Sequence, residues 1–508
     1  MDIQEQLKES EVTKTSEDLR NFGGVINEVR MRRKPISEVD NIIDAVEILL
    51  KDGQLNTFDR LMSYYILGHA CNAKKCFTQD PSKAMYNHPL VMKEIFCYRM
   101  MLRIADEVKR KELWALYYMV QGCVYQAYVH LGNVYDHLGR HQDALHSYSK
   151  AGALMPNDYM WKYNLGFSYG GMFGYYEERV QPYVVALAKE LLKPFLNMQE
   201  TTKSVIDMYK KVSGLKTPAN LKDINYEYGE SEEDDYNRWV NENYLRLNAY
   251  NDVNPYSEKA QDDSLYFDSI YSAKDNSDKC YRLMTMLNEI KQEYVTARFM
   301  LYSYFRESGK SHFSDKHVRI ADVLQYANYS YNVELAKSAF RALYSLLDKI
   351  AFALNDYLEL GMMGKNVDFK NFWYADRKIR NIRQKILNHS TIISLAGLLF
   401  IRNDVYGGSE SYLQADETKH LQMVRNAMEH RVIQIVDEGA MEDKDAMLII
   451  SRGDFERVAM NLISTVRQAI FCFVNAVKHI EYDKITEARK KGIVLSQFVD
   501  DISDEEKI

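Results

Sequence analysis

Arg425-Asn-Ala-Met-Glu-His430 holds an arginine and a histidine at Arg-x4-His spacing. A histidine with a pKa near neutrality can take or give a proton at physiological pH. A permanently charged, planar guanidinium suits negative charge developing on phosphoryl oxygens. Together they are the parts for acid–base chemistry at a phosphate ester. Spacing alone is weak, because Arg140 to His146, Arg306 to His312 and Arg383 to His389 also fit an Arg-x4-6-His pattern, and chance supplies about two such matches in a chain with this many arginines and histidines. Arg425 and His430 are favoured by their helical setting. At about 100° per residue, Leu421, Val424, Met428, Val432 and Ile435 fall on one side of a helix expected over Ala415 to Asp437. His430 then points nearly opposite, Arg425 sits at the border, and Asn426 shares the side of His430. The plain alternative is a solvated face with an Arg425 to Glu429 i,i+4 salt bridge.

The elements that must carry this pair are helices. All 8 prolines lie at or before Pro255, so the C-terminal half runs without the residue that most reliably interrupts helices. Ala336, Phe340, Leu343, Leu347, Ile350, Leu354 and Tyr357 form one apolar stripe. A second helical region is expected from about Asp376 to Arg402, the third is the one holding Arg425, and a fourth carries Phe455, Val458, Leu462, Val466, Ala469, Phe473, Val477 and Ile480. Four such helices make a bundle.

Earlier in the chain, Tyr128, Leu131, Gly132, Tyr135, Ala144, Tyr148, Ala151 and Pro156 follow the spacing of a tetratricopeptide repeat (TPR). Leu165, Gly166 and Tyr169 repeat it 34 residues on, and Tyr64, Leu67 and Gly68 are a half-match with an insertion around Pro81 to Pro89. Small residues let paired helices approach, and stacking buries faces that one repeat cannot bury alone. The segment from Tyr226 to Asp235, acidic and aromatic, reads as a solvated linker. The expected organisation is therefore a helical arm over 1–40, TPR-like repeats over 41–175, a helical middle region over 176–330 with the acidic linker near 226–235, a bundle over 331–485 and a polar tail over 486–508.

With Arg425, Asn426 and His430 in its penultimate helix, the bundle resembles the HEPN superfamily (higher eukaryote and prokaryote nucleotide-binding), and in particular its bacterial members with an N-terminal TPR region. The fold expected is all-α: TPR-like helical repeats followed by a four- to five-helix HEPN bundle. The resemblance implies a metal-independent endoribonuclease in which a ribose 2′-hydroxyl attacks the phosphate, leaving 2′,3′-cyclic phosphate (or 3′-phosphate) and 5′-hydroxyl ends. It implies catalysis by Arg425 and His430, a homodimer joining two such pairs across the bundle, and an effector role in bacterial anti-phage defence or stress response. Asn426, Glu429 and Asp348 are supporting candidates, Asp348 lying on the polar flank of the first bundle helix near Asn355. Arg377, Lys378, Arg380, Arg383 and Lys385 are candidate RNA contacts, or else an exposed helix face. The TPR groove is expected to dock a protein or peptide partner. Two other readings stand beside this one: a non-catalytic TPR-HEPN adaptor or nucleotide-binding interaction protein, and a toxin silenced by nucleotide attachment. The last calls for Arg-x4-His-x-Tyr, whereas Val432 stands where the tyrosine belongs.

Composition narrows the rest. The 508 residues, 46% hydrophobic, suffice for several domains, and a formal charge of −7 argues against a general nucleic-acid coat while leaving room for a local basic site. The six cysteines (Cys71, Cys76, Cys97, Cys123, Cys280, Cys472) show no CxxC spacing. No metal site or cofactor is expected, His137, His141 and His146 being surface positions of a repeat. The N-terminus lacks a signal-peptide pattern and the longest apolar run, Thr391 to Ile401, is short of a bilayer, so a cytoplasmic protein without membrane contact is expected. No phosphate-binding glycine loop, Gly-x-Ser-x-Gly elbow or His-Glu-x-x-His is present.

Overall fold

The computed structural model describes residues 13–51, 54–77, 89–197, 202–218, 221–267, 270, 277–307, 311–321, 327–376, 381–407, 416–439, 441–490 and 507. The chain divides into two units, the first made of 1–225, 252–259 and 399–422, the second of 226–251, 260–398 and 423–508.

In the first unit, α1 (Lys14–Arg30), α2 (Ser37–Lys51), α3 (Thr57–Lys75), α4 (Pro89–Arg110), α5 (Trp114–His137), α6 (His141–Leu154), α7 (Tyr159–Met172), α8 (Gln181–Leu192) and α9 (Lys203–Ser213) follow in order. The hairpins α3–α4, α5–α6 and α7–α8 stack in sequence. Their spacing is set by small residues. A Cβ on Gly132 would meet the Tyr148 ring at 2.4 Å, on Gly68 the Tyr98 ring at 3.0 Å, and on Gly166 the Leu192 side chain at 2.9 Å, so these three glycines stand where helix meets helix. From Thr13 onward, the stretch expected as an N-terminal arm is part of the stack: α1 packs on α3, and buried Asp59 accepts hydrogen bonds from Thr13 Oγ1 at 2.8 Å and Ser16 Oγ at 2.5 Å. The insertion expected before Pro89 lies outside the described residues.

One carboxylate from residues 399–422 completes this unit. Asp404, on α14 (Ile393–Tyr406), accepts both Nη atoms of Arg99, at 2.8 and 2.9 Å, and Nη1 of Arg140 at 2.5 Å. Arg99 also donates to the Tyr135 hydroxyl and Arg140 to Asp143. Burial alone would raise the Asp404 pKa, but the two guanidiniums overrule it and hold the carboxyl down at about 2.

The second unit is a bundle. α11 (Ser277–Glu307) packs along α12 (Tyr331–Tyr357), which packs on α16 (Arg452–Lys490). Every position of the two apolar stripes read from the sequence is buried, from Ala336 to Tyr357 on α12 and from Phe455 to Ile480 on α16. Among the described residues α16 is the one helix long and apolar enough to cross a membrane, and its apolar window is 78% buried. It is a core helix by that measure.

Three expectations change. The helix expected to run to Asp437 stops at His430, as α15 (Asp416–His430), because Val432-Ile-Gln-Ile-Val436, β-branched at every position but Gln434, forms a strand, β1 (Val432–Val436). β1 pairs parallel with β3 (Met447–Ser451), which pairs antiparallel with β2 (Glu442–Lys444). A small sheet thus joins the helices. Among the described residues, the helix expected over 376–402 is α13 (Gln384–Leu387) and the larger part of α14. The acidic linker becomes ordered at Ser231, whose side chain caps α10 (Glu232–Glu242) in a reciprocal capping box with Asp234, and the four acidic residues of the first turn suit the positive end of the helix dipole.

Between α10 and α11 the backbone is irregular and is held by side chains. Asp263 takes a bidentate pair from buried Arg298 at 2.8 and 2.7 Å and the Leu247 N–H at 2.7 Å, with Arg246 Nη1 at 3.5 Å. Arg298 also donates to the Tyr236 hydroxyl and the Leu245 carbonyl, and buried Arg467 of α16 donates to the Arg246 carbonyl at 2.7 Å. Enclosure would raise the Asp263 carboxyl, yet Arg298 and Arg246 hold it well below the carboxylate range.

Asp404→Asn leaves Arg99 enclosed without a carboxylate and Arg140 with Asp143 alone. The expected cost is about 3 kcal/mol, toward the lower end for breaking a buried pair, read as a lower denaturant midpoint by circular dichroism. Because the folded pKa is depressed, this contribution is present above the unfolded value of about 3.9 and is lost as pH falls toward 2. The gap between wild type and variant should narrow in that window, and a constant gap would contradict the assignment.

Candidate functional site

α15 buries Leu421, Val424, Ala427 and Met428, a helical stripe that fixes the rotation of everything else on it. Arg425 is left on the flank and His430 at the last position. The Arg425 guanidinium lies over the Tyr344 ring of α12, 5.2 Å from its centroid, a cation–π contact. Its Nη2 pairs with Glu429 Oε2 at 2.7 Å and its Nη1 donates to Asn426 Oδ1 at 3.2 Å. Arg425 Nε is buried and has no partner. The His430 side chain is 69% exposed, and its Nε2 lies 3.6 Å from the same Oε2 of Glu429. One carboxylate oxygen therefore stands between the two groups that the sequence singles out.

Asp348 faces the same place from α12, one turn beyond Tyr344. Its Oδ1 accepts the Phe369 N–H at 2.8 Å. Burial pushes its carboxyl up, the Phe369 N–H opposes that, Asp368 adds to it, Arg425 opposes it and Glu429 adds to it. Arg425, Asn426, Glu429, Tyr344 and Asp348 thus form one cluster with His430 at its open edge. Tyr344 was not singled out from the sequence. The available signal was its i,i+4 spacing to Asp348, which puts ring and carboxylate on one face of α12. Asn355 is turned to a different task, exchanging hydrogen bonds with the backbone of Met362.

The basic stretch divides differently. Arg377, Lys378 and Arg380 lie outside the described residues. Arg383 Nε donates to the Phe372 carbonyl at 2.8 Å, and Lys385 Nζ bonds the Glu359 carbonyl, so both described cations of the set bind backbone oxygens. The competing Arg/His spacings are also drawn into other structure. Arg140 serves Asp404, Arg306 pairs with Glu232 at 2.5 Å while His312 stacks on Tyr331, and burial followed by the nearby Lys484 lowers the pKa of His389. His141 Nδ1 lies 2.7 Å from Asp136. Among the described residues no three His, Cys, Asp or Glu side chains gather as metal ligands.

Residues 274–480 match the family model described as LA2681-like HEPN. The match supports the HEPN superfamily for the C-terminal part of the chain, and it begins upstream of 331, taking in α11 as well as α12. No curated protein and no solved structure matches the chain.

Asp348 offers a test of this geometry. Asp348→Asn keeps an acceptor for the Phe369 N–H while removing an enclosed charge, so at pH 7 its stability should equal or exceed that of wild type. Asp348→Ala leaves that N–H unpaired and should cost about 1–3 kcal/mol. A carboxyl with a raised folded pKa adds stability below its unfolded value and loses it as pH rises. The Asn variant should accordingly gain on wild type from about pH 4 upward, measured by urea denaturation across pH. A loss for Asn equal to that for Ala would contradict it.

Proposed function

We propose that the C-terminal bundle is an endoribonuclease with Arg425 and His430 as its catalytic groups. The observation that carries this is their placement five residues apart on α15, with His430 open to solvent and both beside the Glu429 carboxylate. The HEPN match points to a nuclease or nucleotide-related role; the cleavage chemistry is what the residue types supply. The 2′-hydroxyl oxygen of the substrate forms a bond to phosphorus as the bond to the 5′-oxygen breaks. His430 takes the proton from the 2′-hydroxyl or hands one to the leaving 5′-oxygen, and the Arg425 fork neutralises the extra charge on the non-bridging oxygens. The products are a 2′,3′-cyclic phosphate and a 5′-hydroxyl. The steps ask only for proton transfer and anion stabilisation, so they should proceed in EDTA, and DNA lacks the nucleophile.

The wider reading is a cytoplasmic effector of anti-phage defence or stress response. In it, two copies join through their bundles so that two Arg425/His430 pairs meet, and a protein or peptide docks on the TPR-like stack. One observation favours the non-catalytic adaptor instead: Arg425 pairs with Glu429 as any i,i+4 couple on a helix surface does.

Incubation of total RNA and transfer RNA with wild-type protein and with His430→Ala, in EDTA, separates the two. Cleavage by wild type leaving cyclic phosphate ends, slowed by about 10²–10⁴ in the variant, is the expected result. Equal cleavage by both would remove His430 from the mechanism. An inert wild type, with dimer formation and nucleotide binding retained, would favour the adaptor.

A further inference from the structure

The segment joining α11 to α12 carries an exposed aromatic and cationic cluster that the proposed chemistry does not use. Phe313 is 75% exposed, and Val318, Ile320, Tyr329 and Tyr331 are exposed beside it in sequence. His312 lies 4.2 Å from Phe313 and 4.4 Å from Tyr331 between ring centroids, nearly parallel to the latter. The rings are held in place. Asp315 accepts the Tyr331 N–H at 2.8 Å and the His312 N–H at 3.3 Å, and His312 Nδ1 is hydrogen-bonded to Ser314. The one carboxylate of residues 311–321 is thereby turned to the backbone, while Lys316 and Arg319 are exposed and, among the described residues, form no ion pair. A chain of net charge −7 presents here a local surplus of positive charge.

This cluster is tied to the strand that leaves the catalytic helix. The Asn328 N–H donates to the Ile435 carbonyl at 2.8 Å, Ala327 bridges Val436, and Gln434 Nε2 donates to the Tyr329 hydroxyl at 3.0 Å. β1 begins two residues after His430. Tyr331 opens α12, and the Tyr344 ring under Arg425 follows 13 residues later, about 20 Å at the helical rise. That span is the length of a few nucleotides of extended single strand.

We propose that His312, Phe313 and Tyr331, with Lys316 and Arg319, form a stacking platform for unpaired RNA bases that flank the bond to be cut. The choice of RNA as ligand rests on the ribonuclease reading; the chemistry of the surface is independent of it. Every base has a π-face that an exposed ring can meet, and interleaved cations meet the phosphates that connect successive bases. The platform accounts for why a preorganised aromatic group with its acid neutralised inward stands open beside β1. It predicts selection for single-stranded RNA over duplex, whose bases are already stacked.

The test uses the full chain in a His430→Ala background so that substrate survives. Fluorescence anisotropy with an end-labelled 12-nucleotide single-stranded RNA, and with the same RNA annealed to its complement, compares this protein with versions also carrying Phe313→Ala or Lys316→Ala plus Arg319→Ala. Because Phe313 is exposed, its removal should leave the circular dichroism spectrum unchanged. The expected result is about ten-fold weaker binding of the single strand by the Phe313 variant, converting a typical stacking energy at 1.4 kcal/mol per decade. The double variant should show a shallower salt dependence, 4-thiouridine crosslinks should fall within 311–331, and duplex binding should not respond to Phe313. Unchanged single-strand affinity, or crosslinks elsewhere, overturns the platform even where wild type cleaves RNA. Phe313-dependent binding without cleavage by wild type sustains the platform while the nuclease reading fails. A dimer that dissociates in the Phe313 variant at constant RNA affinity assigns the surface to a second copy of the chain and likewise overturns the proposal.

Discussion

Asp263 is the residue on which the C-terminal unit turns. Two buried arginines, Arg298 from α11 and Arg246 from the irregular stretch after α10, converge on this one carboxylate, and Arg467 from the core helix α16 grips the carbonyl of Arg246. An irregular backbone has no ladder to satisfy its polar groups, and here the guanidiniums do it: Leu245, Arg246 and Asn248 each give a carbonyl to a buried arginine. Removal of Asp263 would leave two guanidiniums in low-dielectric surroundings. α11, held to this anchor through Arg298, packs along α12, and α12 in turn supplies the ring and the carboxylate that face Arg425.

The site itself is built on ordinary helical periodicity. Four apolar residues seat α15, and that seat decides which of its polar residues meet α12 and which meet water. Arg425 lands where its charge is shared by a π-face and a carboxylate, an arrangement that limits the freedom of a long side chain. His430 lands at the end of the helix, where a β-branched run begins and the chain changes secondary structure. Glu429 belongs to both: one of its oxygens pairs with Arg425 Nη2 at 2.7 Å and lies 3.6 Å from His430 Nε2.

Periodicity is also what made parts of this legible in the sequence. The stripes of α12 and α16, the glycines of the helical hairpins and the outward direction of His430 follow from residue spacing alone, and each is where that spacing puts it. The sheet was missed because Val432 and Ile435 fit an apolar helical face as well as they fit a strand. Only the β-branched density distinguishes the two, and the long helix was the simpler pattern. Asp263 and Asp404 were invisible for a different reason. Their partners lie far off in the chain, and nothing local marks a carboxylate as buried. Glu94 shows the same limit. It stands four residues before Tyr98, as Ala144 stands four before Tyr148, yet it is wholly buried on Asn72 and Lys75, a substitution of charge for a small residue that repeat spacing cannot reveal.

The Asp404 pairs carry a consequence for how the chain is made. Arg140 and Asp404 are separated by 264 residues, so at a synthesis rate of about 5–20 residues per second the stack of hairpins waits roughly 13–50 seconds for its carboxylate. During that interval Arg99 and Arg140 already exist and Asp404 does not. The N-terminal hairpins can form early from local contacts, but the charge at their centre is balanced only after most of the chain has left the ribosome. Birth of this protein is therefore not a simple progression from one end to the other, and a nascent chain stalled before residue 404 would hold an incomplete first unit in which Arg140 has only Asp143 and Arg99 has no carboxylate.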